Sequence, residues 1–286
     1  TLDKRVSAVI FAGSKEHCEK IERISPKNDN RKLILQSGGK NSVIVHSSAS
    51  IDLAVKGVVL GAVKSAGQLC SSTSRVLVAK DCFVSFKEKL IHALQGLAVG
   101  PTDVSHNGVS DPIMGPLYSE KSLEKFLRFQ TMAQREAKET LIWGGVIEDR
   151  KLDGFFVRPG LHYLEKMDQK SAYQSNVLFS PDIALYVFDD LDEAIEASNT
   201  TESSLCVSFY GDKSVVEKRC HMFSVPNLLV NLPTVEIEAH LPLAPRHRCV
   251  QHNSQGVGVA LDLCYPQVLV INSEQEKMIA KWPAVI

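Results

Sequence analysis

The chain has 286 residues, 44% hydrophobic and 23% charged, the profile of an ordinary globular protein with room for one or two domains. Lys plus Arg number 32 against 33 Asp plus Glu, so the net charge is −1 and no basic surplus points to nucleic acid. No apolar run approaches the roughly 18 to 20 residues of a membrane span, and Thr1 to Ser14 lacks the pattern of a signal peptide. Seven cysteines, odd in number and scattered, fit a reducing compartment (mitochondrial matrix or cytoplasm) better than a disulfide framework.

In chain order, strand and helix patterns alternate. Val6 to Phe11 reads as a buried strand, and Gly13-Ser14 turns it into a helix over Lys15 to Ile24 with Ser14 as cap. Pro26 to Arg31 is loop-like. Lys32 to Leu35 and Ser42 to His46 are short strands on either side of Ser37-Gly38-Gly39. Ile51 to Ala66 has helical apolar spacing at Leu53, Ala54, Val58 and Ala62, with Ser48 or Ser50 as cap. Arg75 to Ala79 is a strand, and Asp81 to Leu97 a helix capped by Asp81. Ser119 to Ala137 is a helix, Thr140 to Trp143 a strand, and Gly154 to Arg158 an extended run broken by Pro159. Ala184 to Phe188, Leu205 to Tyr210 and Asn227 to Asn231 are strands, interleaved with helices at Asp192 to Asn199 and Val215 to Phe223. Gly256-Val257-Gly258 leads to a last apolar strand, Pro266 to Ile271. This alternation predicts an α/β fold with an open, mostly parallel sheet.

Cys70 sits where the helical pattern stops and a strand begins. Such a junction can present a thiol at the mouth of a cleft, where a helix end or a cation favours the thiolate. On the cysteine alone, a small buried hydrophobe is the commoner fate of a free thiol. His240, His247, Cys249 and His252 lie close in sequence, but a polar loop is the simpler reading and no metal is expected. Lys40 follows two glycines without the spacing of a phosphate loop.

Gly67-Gln68-Leu69-Cys70 followed by Arg75 resembles the nucleophile segment of the aldehyde dehydrogenase superfamily. Leu33-Ile34-Leu35-Gln36-Ser37-Gly38-Gly39-Lys40-Asn41 resembles its Leu-Glu-Leu-Gly-Gly-Lys-Asn segment, and Phe11-Ala12-Gly13-Ser14 its Phe-Thr-Gly-Ser turn. The middle of the chain looks closest to semialdehyde dehydrogenases of proline and arginine breakdown. The resemblance implies three parts: 1–35, a remnant of the dinucleotide-binding domain; 36–235, the catalytic domain; and 236–286, an eroded segment with an oligomerisation-type strand. It also implies an N-terminal truncation, with most of the dinucleotide-binding domain lying outside this chain.

By the same resemblance, Cys70 holds the place of the nucleophile, and Gln36, 34 positions earlier, stands where the family has its general-base glutamate. Gly13 and Ser14 would border a cofactor pyrophosphate and Phe179 a nicotinamide. Val177 replaces a glutamate that accepts from the nicotinamide ribose. A neutral amide takes no proton near pH 7, and losing a general base typically costs about 10²- to 10⁴-fold. The expectation is therefore a catalytically inactive family member without NAD(P), serving as a structural subunit with protein partners or as a homo-oligomer. The alternative is an NAD(P)-dependent semialdehyde dehydrogenase working through a Cys70 thioester. A third reading is cofactor-independent acyl transfer at Cys70.

Overall fold

The computed structural model describes residues 3, 5–25, 31–101, 112–149, 153–201, 203–241, 243, 256–264 and 267–269. Among them are nine strands and eight α-helices in α/β order. The first unit is β1 (Ala8–Gly13), α1 (Lys15–Ile24) and β2 (Lys32–Ser37). β1 and β2 form a separate two-stranded parallel sheet. The expected division between residues 35 and 36 falls inside β2.

The main sheet has seven strands in the order β5-β6-β7-β4-β3-β8-β9. These are β3 (Asn41–Val45), β4 (Thr73–Ala79), β5 (Glu139–Ile142), β6 (Gly160–Tyr163), β7 (Asp182–Phe188), β8 (Cys206–Tyr210) and β9 (Asn227–Val230). Every pairing is parallel except that of the edge strand β5 with β6. The fold is therefore the α/β, mostly parallel architecture that the alternating sequence pattern indicates.

Side chains on successive strand positions face opposite sides, so both faces of the central strands are buried. Val43, Val45, Val76 and Val78 pack with Ala54, Val58 and Ala62 of α2 (Ile51–Val63) and Phe86 and Leu90 of α3 (Lys80–Gln95). On the other face Ile44, Leu77, Tyr186 and Phe209 pack with Phe129 of α4 (Glu120–Glu136), Tyr173 of α5 (Ala172–Ser175) and Ile195 of α6 (Leu191–Asn199). A short α7 (Lys213–Glu217) adds Val216 to that side.

Several boundaries differ from the sequence reading. The helix expected over 51–66 ends at Val63, and a 3₁₀ turn covers Lys64–Gly67. Ser65 and Ala66 take left-handed backbone angles there, so the helix cannot continue. Asp81 does not cap α3: the helix starts at Lys80 behind Ala79, and Asp81 sits in its first turn. Ser50 occupies the N-cap of α2 without a side-chain capping bond. β1 begins at Ala8 rather than Val6. β6 lies after Pro159, where no strand is expected, and the helix read over 215–223 is α7 plus a 3₁₀ turn at Cys220–Met222. Val257–Leu263 is a helix, α8, and not the approach to a strand. Residues 267–269 are not in a strand; the rest of 266–271 lies outside the described residues, as do His247, Cys249 and His252. No group of three potential metal ligands occurs among the described residues.

Candidate active site

The loop between α2 and β4 places Cys70. Three successive residues, Ser65, Ala66 and Gly67, have positive φ. Left-handed conformations cost a non-glycine residue about 1–2 kcal/mol, so the surroundings must impose them. Gly67 presses on the Ser180–Pro181 peptide: a Cβ there would lie 2.5 Å from the Ser180 carbonyl carbon. Gln68 anchors the other side of the loop. Its Nε2 donates to the Ser65 carbonyl at 2.9 Å, and its Oε1 accepts from the Tyr118 N–H at 2.9 Å.

Gln36 reaches the same spot from β2. Its Nε2 lies 3.8 Å from Cys70 Sγ, placed to donate. The two residues that the family resemblance pairs as base position and nucleophile position are thus brought together. Cys70 is partly buried and packs against Leu205 and Leu243. Burial pushes the thiol's pKa up, and the backbone N–H groups of Cys70 and Ser71 pull it back toward the thiolate.

A cavity of about 500 Å³ is lined by Ser14, Gly38, Arg75, Lys125, Val177 and Phe179 among others. Ser14 caps α1, accepting from the His17 N–H, so the helix N-terminus faces the cavity with its partial positive charge. The Lys125 ammonium donates to the Val177 backbone carbonyl at 2.8 Å, and burial lowers its pKa. Phe179 has a φ of 53°, and its ring lies on Gly38, where a Cβ would come within 2.2 Å of Cζ. Neither Cys70 nor Gln36 lines this cavity. Gly13, next to Ser14, ends β1 and does not line it either.

Arg75, part of the motif that carries the resemblance, is one of the residues lining the cavity. It is 2% exposed and donates to the carbonyls of Lys40, Ala197 and Ser198 at 3.2, 3.3 and 3.0 Å. Burial lowers its pKa to about 10. A cation held by carbonyls rather than by a carboxylate leaves its charge uncompensated beside the cavity. The one sequence signal for it is a charge inside an apolar strand pattern.

A parallel sheet that presents a part-buried thiol to a strand-borne amide, with a polar cavity at a helix N-terminus, defines an α/β thiol-site domain. Residues 1–245 match the aldehyde dehydrogenase family profile. The chain belongs to the aldehyde dehydrogenase family. It is 30% identical over 234 residues to "1-pyrroline-5-carboxylate dehydrogenase 1" of Halalkalibacterium halodurans, covering 79% of this chain and 43% of that protein. It is 31% identical over 206 residues to "alpha-ketoglutaric semialdehyde dehydrogenase" of Bacillus subtilis, covering 72% and 41%. Among solved structures, lactaldehyde dehydrogenase from Escherichia coli superposes with a TM-score of 0.78 at 27% identity, covering 88% of this chain and 51% of that one. Betaine aldehyde dehydrogenase from Staphylococcus aureus in complex with NAD+ gives 0.79 at 25%, covering 89% and 49%. The chain thus spans about half the length of these relatives or less.

The residues present fit a nicotinamide dinucleotide only in part: the capped N-terminus of α1, Ser14 and Lys125 would suit a pyrophosphate and Phe179 an apolar ring, while the Glu16 and Asp168 carboxylates in the same lining would oppose an anion. At the ribose end, Val177 offers no side-chain acceptor and its carbonyl already holds Lys125.

Proposed function

We propose that this chain carries the thiol site of an NAD(P)-dependent semialdehyde dehydrogenase whose substrate is a small, carboxylate-bearing semialdehyde. The observation that carries the proposal is the contact between Gln36 and Cys70, in the place where the family pairs base and nucleophile. The names of the two relatives, a pyrroline carboxylate and a ketoglutaric semialdehyde dehydrogenase, support the substrate class. Cys70 Sγ attacks the aldehyde carbonyl to give a hemithioacetal. Bound NAD(P) would supply the hydride acceptor. Gln36 donates toward sulfur and orients water for release of the acid; it does not deprotonate that water, so this step is slow. The chain's free thiols favour a reducing compartment, the mitochondrial matrix or the cytoplasm.

The test is NAD(P)H formation from glutamate semialdehyde or α-ketoglutaric semialdehyde, with Cys70→Ala as control. Slow turnover that disappears in the variant is the expected result. No turnover, together with no NAD(P) binding by calorimetry, overturns the proposal.

Gln36 and Val177 favour a second reading, in which the family's scaffold serves as an assembly subunit for another protein or for a second copy. Both residues lack the charge that the resemblance places there. Among the described residues no helix is long and apolar enough to cross a membrane. A stable complex that forms equally well with Cys70→Ala would support this reading.

A further inference from the structure

One side-chain amide joins three separate segments beneath the thiol. Asn41, the first residue of β3, is fully buried. Its Nδ2 faces three carbonyls: Cys70 at 2.9 Å, Ser72 at 3.0 Å and Gly39 at 3.2 Å. Its Oδ1 accepts from the backbone N–H groups of Leu205 at 2.9 Å and Cys206 at 3.2 Å. The turn after β2, the Cys70 loop and the start of β8 therefore meet at one planar group.

The sheet itself cannot do this work. Pairing of β3 with β4 is irregular here, with Asn41 opposite Thr73 and Ser42 opposite Arg75. The carbonyls of Cys70 and Ser72 precede the regular ladder, and buried carbonyls without partners are costly. The Gly39 N–H at 3.2 Å is the Cys70 carbonyl's other donor.

We propose that Asn41 is the positioning residue of Cys70, holding the Cys70 and Ser72 carbonyls and, through the Cys70–Ser71 peptide, the direction of the Ser71 N–H. The link is the trans peptide between Cys70 and Ser71, whose C=O and N–H point in opposite directions. Fixing the carbonyl fixes the N–H. The preceding residues Ser65 and Ala66 hold left-handed angles, so the loop would relax without a restraint of this kind. The groups favouring the thiolate are the Cys70 and Ser71 N–H groups themselves. The described neighbours packed on the sulfur, Gln36, Leu205 and Leu243, are uncharged. The proposal deepens the reading of Cys70 as the reacting thiol and rests on it.

Alkylation by iodoacetamide tests the thiol without requiring turnover. Its rate at Cys70 is measured against pH by peptide mass, with Cys70→Ala defining the background from the other cysteines. In Asn41→Leu the donors toward Cys70, Ser72 and Gly39 are lost without placing a charge beneath the sulfur. The expected result is a profile displaced to higher pH and a rate near pH 8 about tenfold lower, the size of one lost hydrogen bond. The alkylation rate of exposed Cys220 should not change. A folded variant whose Cys70 profile matches the wild type overturns the proposal. If the wild-type Cys70 resists alkylation at every pH, the reading of it as the reacting thiol fails instead, and with it the proposal. Should Asn41→Leu not fold, the Asn41 side-chain amide and Ser71 amide resonances are followed in the wild type as Cys70 titrates. Joint movement supports the proposal; an Asn41 signal that stays fixed while Ser71 moves overturns it.

Discussion

The Gln36 amide nitrogen lies 3.8 Å from the sulfur of Cys70, so the group beside the thiol is a donor and not a base. A donor favours the thiolate; a carboxylate in its place would oppose it and accept a proton from water. Gln36→Glu should therefore separate two steps of an activated-ester assay. Acylation of Cys70 should slow near neutral pH, while turnover after the burst should rise by about 10²-fold or more. Stopped-flow release of nitrophenol reads both phases, and unchanged turnover would show that water activation is not what limits release.

Val177 and Lys125 share the cavity, and the lysine is tied to the valine's carbonyl. Val177→Glu would place a carboxylate beside that ammonium and supply the acceptor the ribose end lacks. A charge-assisted hydrogen bond of about 1.5–3 kcal/mol corresponds to NAD(P) binding at least tenfold tighter, measured by calorimetry.

Gly67 has a φ of 69° and touches the Ser180–Pro181 peptide. Gly67→Ala would combine backbone strain with a contact no side-chain rotation can relieve. The expected loss is about 2–4 kcal/mol by denaturant unfolding. Alkylation of Cys70 should also change, because the loop must shift to admit the methyl group.

Lys40 is buried, donates to the Tyr173 carbonyl at 3.3 Å and has its pKa lowered to about 8 by burial, with Asp182 opposing. The unfolded lysine keeps its proton to about 10.5. Between these values the unfolded chain binds the extra proton, so stability rises with pH, and the cost of the buried charge is fully present below pH 8. Lys40→Met should lack this rise, which amounts to about 1–3 kcal/mol between pH 8 and 10. Parallel pH–stability curves for the two proteins would place the titration elsewhere.

The central strands were legible because runs such as Val43-Ile44-Val45 and Val76-Leu77-Val78 are apolar on both faces, as a buried parallel sheet demands. β6 was not, since four residues behind a proline, one of them His162, carry no such pattern. The end of α2 is not legible because the left-handed run opens on Ser65 and Ala66, ahead of the glycine that usually announces such angles. At the site, Cys70 and Gln36 were placed by resemblance and spacing, and the structure brings them together. Asn41 and Arg75 escaped notice as working groups because their partners are main-chain atoms, which leave no trace in residue identity.

Gln36 lies opposite Ala12 in the β1–β2 ladder, yet its amide meets a sulfur fixed by the seven-stranded sheet. The gap between amide and thiol therefore spans two sheets, and the distance across it depends on how the small sheet is seated as well as on the Cys70 loop.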